Sequence, residues 1–114
     1  MKEENKKNLA LFEETGGIRF GESYWFSANY TFPFAKIRIF KEKIILTWGE
    51  SSKIEFRKDE IQYLEKYKGI LGGILGKGVR ICHKKSRTWK FIIFWSFSVD
   101  NLLSKLKNAG YELK

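Results

Sequence analysis

The chain has 114 residues, a mass of 13.5 kDa and a formal charge of +9, which suits one domain with its own hydrophobic core. Hydrophobic residues make up 43% of it, which excludes a disordered tail, while its one Cys and one His exclude a disulfide framework and most metal centres. The charged N-terminus lacks the apolar stretch of a signal peptide, and no apolar run reaches the length of a membrane span. We therefore expect a cytoplasmic domain without metal or cofactor.

The N-terminal segment differs in composition from the rest of the chain. Residues 1–15 are rich in charge and predict an N-terminal arm, in which Leu9, Leu11 and Phe12 could dock on the domain. The glycines at 16 and 17 end this segment, because glycine interrupts regular structure. Residues 16–114 are then predicted to form a single domain.

The middle of the chain has the composition and the alternation of β-strands. Ile37 and Ile39 alternate with Lys36 and Arg38, which is typical of a strand with one buried face. Pro33, the only proline, is expected at a strand start or edge because it cannot donate a ladder hydrogen bond. About seven strands are predicted, over residues 23–31, 34–40, 43–48, 53–57, 61–68, 79–83 and 89–97.

The period of the hydrophobic pattern changes near the C-terminus. Val99, Leu102, Leu103, Leu106 and Ala109 follow helical spacing. Ser98 suits the N-cap of this helix, and Gly110 suits the position just after its end. The prediction is a mostly β domain with one C-terminal amphipathic helix.

Three passages of the chain resemble bacterial pleckstrin-homology-like (PH-like) domains. They are residues 29–39 around Phe32-Pro33-Phe34, residues 54–61 around Asp59, and the strand pair of residues 78–83 and 91–95 that ends in Phe94-Trp95. The resemblance implies a partly open barrel of bent antiparallel strands, in two near-orthogonal sheets, closed at one end by the helix. It also implies a binding module, since known members bind phosphoinositides, peptides or proteins. The turn at residues 31–33 lacks the basic run of a phosphoinositide pocket, which is a departure from the family pattern.

The charge distribution predicts a basic surface. No acidic residue occurs from Lys66 to Val99, whereas eight basic residues do. Such a cluster attracts phosphates and other anions. The residues that we expect to meet an anionic or protein partner are Arg80, Lys84, Lys85, Arg87 and Lys90. The alternative interpretation is a solvated basic face that serves solubility only.

A glycine-rich stretch, residues 69–78, gives a second candidate surface. It is not a phosphate-binding loop, because Gly76-Lys77 is followed by Gly78 where that motif needs Ser or Thr. Its apolar side chains next to lysines suit attachment to a membrane surface with anionic headgroups. The residues concerned are Ile70, Leu71, Ile74, Leu75 and Lys77. The same side chains could instead pack on the barrel or form an interface between two copies.

Catalysis is not indicated by any set of residues in the sequence. Cys82 and His83 are neighbours on one predicted strand and point to opposite faces, so they cannot act as a nucleophile and its base. The alternation of basic and aromatic residues in 87–91 leaves single-stranded nucleic acid as a weaker alternative. We therefore expect a non-catalytic PH-like binding or self-association module, with a protein partner or second copy first, an anionic membrane next and nucleic acid last.

Overall fold

The computed structural model describes residues 9–23, 26–68, 76–86 and 88–114. In these parts of the chain seven strands precede one helix, and a 3-10 turn lies at Lys58–Glu60. The elements are β1 Phe12–Gly21, β2 Ser27–Ile39, β3 Lys43–Trp48, β4 Ser52–Arg57, β5 Ile61–Lys68, β6 Lys77–His83, β7 Phe91–Trp95 and α1 Val99–Asn108. The predicted order of strands first and helix last is confirmed.

The strands form one antiparallel sheet in the order β4-β3-β2-β1-β7-β6-β5. Strand β1 lies at its centre and pairs with β2 on one side and β7 on the other. The resemblance implied two separate sheets, but these pairings join all seven strands into one. The sheet curls into a partly open barrel, and α1 packs over it. The predicted PH-like architecture is therefore present, and it results from hairpins between consecutive strands plus the long-range pairing of β1 with β7.

The sequence predicted two separate strands on either side of Pro33, but residues 27–39 form one bulged strand, β2. The register shifts between Gly16 and Ile18, which pair with Ala35 and Tyr30, so several β2 residues lie opposite Gly17 alone. Pro33 falls inside this irregular part of β2 rather than at a strand start. A proline is tolerated there because the ladder is already interrupted.

The core lies on the concave face of the sheet and beneath the helix. Alternate residues of β3 point inward, as the sequence alternation predicts, whereas β7 is buried at four consecutive positions. The fully buried residues of the sheet include Ile37, Phe56, Ile81 and Phe94. The helix closes this core with its apolar stripe, in which Leu102 and Leu106 are fully buried. Burial of this stripe gives the helix most of its stability, since short isolated helices are marginal in water.

Both ends of α1 are fixed by residues from elsewhere in the chain. Ser98 precedes the helix as predicted, but its hydroxyl donates to the Glu14 carboxylate at 3.1 Å instead of capping the helix. At the other end Lys58 Nζ donates to the Ala109 carbonyl at 2.6 Å, and Gly110 adopts a left-handed φ of 91° as expected after a helix. After the helix, the chain pairs with Leu64 and so covers part of the β5 edge.

Strand β1 begins at Phe12, within the segment assigned to the charged arm. Residues 12–15 pair with residues 36–39 of β2, so the last part of that segment belongs to the sheet. Glu14 is thereby brought to the N-terminus of α1, although the sequence suggested only an arm. A carboxylate is favourable at this position because of the helix dipole.

Candidate functional site

A shallow groove of about 410 Å³ lies on the convex face of β5 and β6, next to the β6–β7 loop. Its walls carry four of the five basic residues that the sequence predicted, namely Arg80, Lys84, Lys85 and Lys90. The fifth, Arg87, lies outside the described residues. The other described lining residues are neutral: Gln62, Tyr63, Cys82, His83, Ser86 and Thr88. The predicted basic residues therefore converge on one concave surface.

The convergence follows from the pairing of the strands. Arg80 pairs with Glu65 of β5, and Cys82 pairs with Tyr63, so that these side chains project from the same convex face. Lys84 and Lys85 directly follow β6, and Lys90 directly precedes β7. A hairpin brings the beginning and the end of its loop together, which closes the groove at one side.

His83 holds the β6–β7 loop in place. Its Nδ1 accepts a hydrogen bond from the Lys85 backbone N–H at 3.1 Å, and its Nε2 donates to the Trp89 carbonyl at 2.7 Å. This pattern requires the neutral tautomer with the proton on Nε2. The ring also packs on buried Phe56, with 4.6 Å between ring centroids. His83 therefore has a structural role that anchors the basic loop to the core.

Acidic residues outside the acid-free segment pair with two of the basic residues in the groove. Lys85 Nζ lies 3.4 Å from Glu60, and Arg80 Nη1 lies 3.7 Å from Glu65. The pKa of Glu60 is lowered, chiefly by the hydrogen bond from the Arg57 backbone N–H and further by Lys85. The sequence did not reveal this partial neutralisation, because segments distant in the chain supply the partners.

The remaining charge of the groove is positive. Lys84 and Lys90 make no ion pair with any residue that the structure describes, and no acidic residue lines the groove in that part of the chain. Exposed ion pairs contribute little, so Arg80 and Lys85 can exchange their carboxylate partners for another anion at small cost. The groove is thus suited to an anionic ligand.

Two uncharged groups form the floor of the groove. Cys82 is half-buried and lies opposite Tyr63 across the two strands. The neighbouring Cys82 side chain is the main reason why the pKa of Tyr63 is raised above its ordinary value of 10.0. The Tyr63 phenol therefore keeps its proton at neutral pH. Arg80 lies over the Phe91 ring at 5.3 Å, which fixes the guanidinium against the sheet.

The second predicted surface falls mostly outside the described residues. Ile70, Leu71, Ile74 and Leu75 are not described, so their predicted membrane contact stays a prediction. Lys77 is the first residue of β6, is exposed, and pairs with Lys68 across the hairpin. These two lysines therefore mark the two ends of the connection that contains the apolar residues.

The aromatic residues around the basic loop already pack against one another. Trp89 packs on Phe20 with 4.4 Å between ring centroids, and Phe20 also contacts Trp48 at 4.9 Å. Phe91 is buried. These rings are engaged in the domain, which weakens the idea of a stacking platform for nucleic-acid bases.

A second depression, of about 550 Å³, lies between the β2–β3 turn and β4. It is lined by three acidic and three basic residues, so it has no net preference for charge: Glu42, Lys43, Glu55, Arg57, Lys58 and Asp59. Among the described residues there is no group of three or more side chains that could hold a metal ion. The groove beside β6 is therefore the better candidate for a binding site.

No protein-family model, curated protein or solved structure matches this chain. Of the helices in the described part of the chain, none is long and apolar enough to cross a membrane. The arguments for function consequently come from the geometry and the charge of the groove.

Proposed function

We propose that this chain is a non-catalytic, PH-like binding module that captures an anionic segment of a protein partner in the groove beside β6. The observation that carries the proposal is the convergence of Arg80, Lys84, Lys85 and Lys90 on one concave surface without a lining acidic residue in the described chain. Electrostatic complementarity of this kind directs an anionic partner to the site and fixes its orientation.

The neutral lining groups support an extended ligand with both charged and polar atoms. Ser86 and Thr88 offer hydroxyl groups, and the Tyr63 phenol is protonated at neutral pH. Hydroxyl groups can donate to carboxylate or phosphate oxygens, while the basic side chains neutralise the charge. The His83 anchor holds the loop close to its bound position, which lowers the entropic cost of binding.

The test is a charge reversal in the groove. A fluorescent poly-glutamate peptide of roughly 15 residues serves as the probe, since its length matches an extended segment across a domain surface. We expect the variant Lys84→Glu/Lys90→Glu to bind it roughly tenfold more weakly than the parent protein, because each reversal removes an attraction and adds a repulsion. Fluorescence anisotropy at about 150 mM salt measures the affinity.

A matched control separates a site from a general attraction of the basic protein. Lys41→Glu/Lys53→Glu changes the net charge by the same amount, at exposed positions away from the groove. We expect it to weaken binding about twofold or less, since distant charges are screened. Equal losses in both variants would show that the groove is only a solvated basic surface.

A further inference from the structure

We propose that exposed phenylalanines at the other end of the sheet, Phe32 and Phe97, insert into an anionic lipid bilayer. This surface is independent of the groove, and its two aromatic residues lie outside the glycine-rich stretch, from which it shares only Lys77. Phe97 is 83% exposed and Phe32 is 51% exposed. Their rings pack edge to face with 5.1 Å between centroids, so they form one apolar projection. We call this pair the Phe32–Phe97 projection.

The backbone holds the projection away from the core. Phe32 lies in the bulge of β2 opposite Gly17, where a Cβ at residue 17 would come within 2.6 Å of the Tyr30 carbonyl oxygen. Phe97 lies in the short connection between β7 and α1. Neither residue belongs to the buried core cluster, even though both are large and apolar. Large apolar side chains that are exposed together indicate an interaction surface.

Exposed lysines near the projection favour an anionic surface as its occupant, since the Glu14 carboxylate in the same region is already engaged by the Ser96 and Ser98 hydroxyl groups. The Lys77 carbonyl accepts a hydrogen bond from the Ser96 N–H at 3.0 Å, which places Lys77 next to the segment that carries Phe97. Lys68 pairs with Lys77 across the hairpin. Both lysines are exposed, and neither makes an ion pair with another described residue. Exposed apolar rings in the neighbourhood of exposed lysines match the boundary between acyl chains and anionic headgroups.

Two other occupants fit this surface less well. A second copy of the chain would bring two molecules of charge +9 together, and their repulsion opposes a contact held by a few aromatic rings. An added β-strand would need a regular backbone edge, but Pro33 in the bulge has no N–H to donate. The bilayer requires neither a regular edge nor a neutral partner.

Vesicle sedimentation with the full chain tests the proposal. The vesicles are phosphatidylcholine alone, or phosphatidylcholine with roughly 30% phosphatidylserine, at about 150 mM salt. We expect sedimentation with the anionic vesicles only. The variant Phe32→Ser/Phe97→Ser should bind them roughly tenfold more weakly, and Lys68→Glu/Lys77→Glu should also lose at least about tenfold.

The matched control is Phe26→Ser. Phe26 is 80% exposed but lies at the opposite end of the sheet from the projection. It is close to Gly21, which pairs with Phe91 at the start of β7, whereas Phe97 follows the end of β7. This control should bind vesicles like the parent protein, and circular dichroism should show all variants folded because the substituted side chains are exposed. Retained sedimentation of the Phe32/Phe97 variant, or no sedimentation of the parent protein, would overturn the proposal.

Two further outcomes would contradict the proposal, because one gives the projection another partner and the other places vesicle binding at another surface. Concentration-dependent association of the parent protein in analytical ultracentrifugation, lost in the Phe32/Phe97 variant, would show that the projection binds a second copy. Loss of vesicle binding in Lys84→Glu/Lys90→Glu alone would place lipid recognition in the groove. Either result would contradict insertion by the projection, and neither depends on the peptide test of the groove.

Discussion

Tyr111 shows how a single residue after the helix ties distant parts of the fold together. Its side chain is buried, and its hydroxyl donates to the Phe40 carbonyl at 2.7 Å. Lys58 Nζ lies 4.6 Å from the centre of its ring. Burial raises the pKa of Tyr111 above its ordinary value of 10.0, because the phenolate would lose its hydration. The phenol therefore stays neutral in the folded protein over a wide pH range.

The variant Tyr111→Phe tests this arrangement. It keeps the ring but removes the hydrogen bond, so we expect a loss of about 1 kcal/mol in the free energy of unfolding at neutral pH. In the parent protein the unfolded chain releases the Tyr111 proton above pH 10.0 while the folded chain retains it. Stability should therefore fall as pH rises above that value, and this fall should be smaller in the variant.

Urea unfolding at neutral pH and near pH 11 measures both effects. Both proteins share every other ionisable group, so the difference between parent and variant isolates Tyr111. An identical alkaline loss of stability in the two proteins would contradict a raised pKa.

Strand β1 determines the shape of the sheet, and its glycines permit the close approach of its neighbours. A Cβ at Gly16 would overlap the Trp95 carbonyl oxygen and come within 2.8 Å of the Phe94 ring. The strand can therefore pair with β7 and bend across the bulge of β2 only if this position lacks a side chain. Gly49, in the β3–β4 turn, is needed for a different reason, since its φ is 63° and the space around it is open.

The two glycines should respond differently to the same substitution. We expect Gly49→Ala to cost about 1 kcal/mol, the usual penalty of a left-handed conformation for alanine. Gly16→Ala should cost more than about 3 kcal/mol or prevent folding, because the obstacle is backbone and cannot move without breaking the β1–β7 pairing. Thermal unfolding of both variants measures the difference. Similar costs at the two positions would show that β1 can shift away from β7.

At the scale of the whole molecule, we expect repulsion among basic side chains to outweigh the ion pairs. The net charge is +9, whereas the ion pairs among the described residues lie at exposed or half-exposed positions, such as Lys36–Glu13 and Lys66–Asp100. Exposed pairs contribute at most about 1 kcal/mol each and are weakened by salt. Self-repulsion destabilises the compact state and is also weakened by salt. The sign of the salt effect on stability therefore shows which contribution is larger.

We expect added sodium chloride to stabilise the protein. Between about 20 mM and about 300 mM, the screening length shortens enough to remove most of the repulsion between distant charges. The melting temperature should rise by roughly 4 °C, which corresponds to about 1 kcal/mol for a domain of this size. Lys41→Glu/Lys53→Glu, with a formal charge of +5, should show a smaller rise. A fall in melting temperature with salt would show that the ion pairs dominate.

The candidate site was only partly predictable. The acid-free segment from Lys66 to Val99 identified the basic residues of the groove, because charge runs are visible in a sequence. It did not reveal that Glu60 and Glu65 approach two of them, since those contacts depend on the register of β5 with β6. The role of His83 was missed for a similar reason, because hydrogen bonds within a loop leave no periodic signal.

The sequence by itself determined that strands precede the helix, where β3 to β7 and the helix lie, and which residues of β3 and β4 alternate inward. These depend on periodicity and on turn residues, which act locally. Only the tertiary structure decided that β1 joins the sheet through β7, that residues 27–39 form one bulged strand, and that Phe32 meets Phe97 outside the core. Those features depend on which distant segments come into contact, and the free energy of such contacts belongs to pairs of residues rather than to any one stretch of the chain.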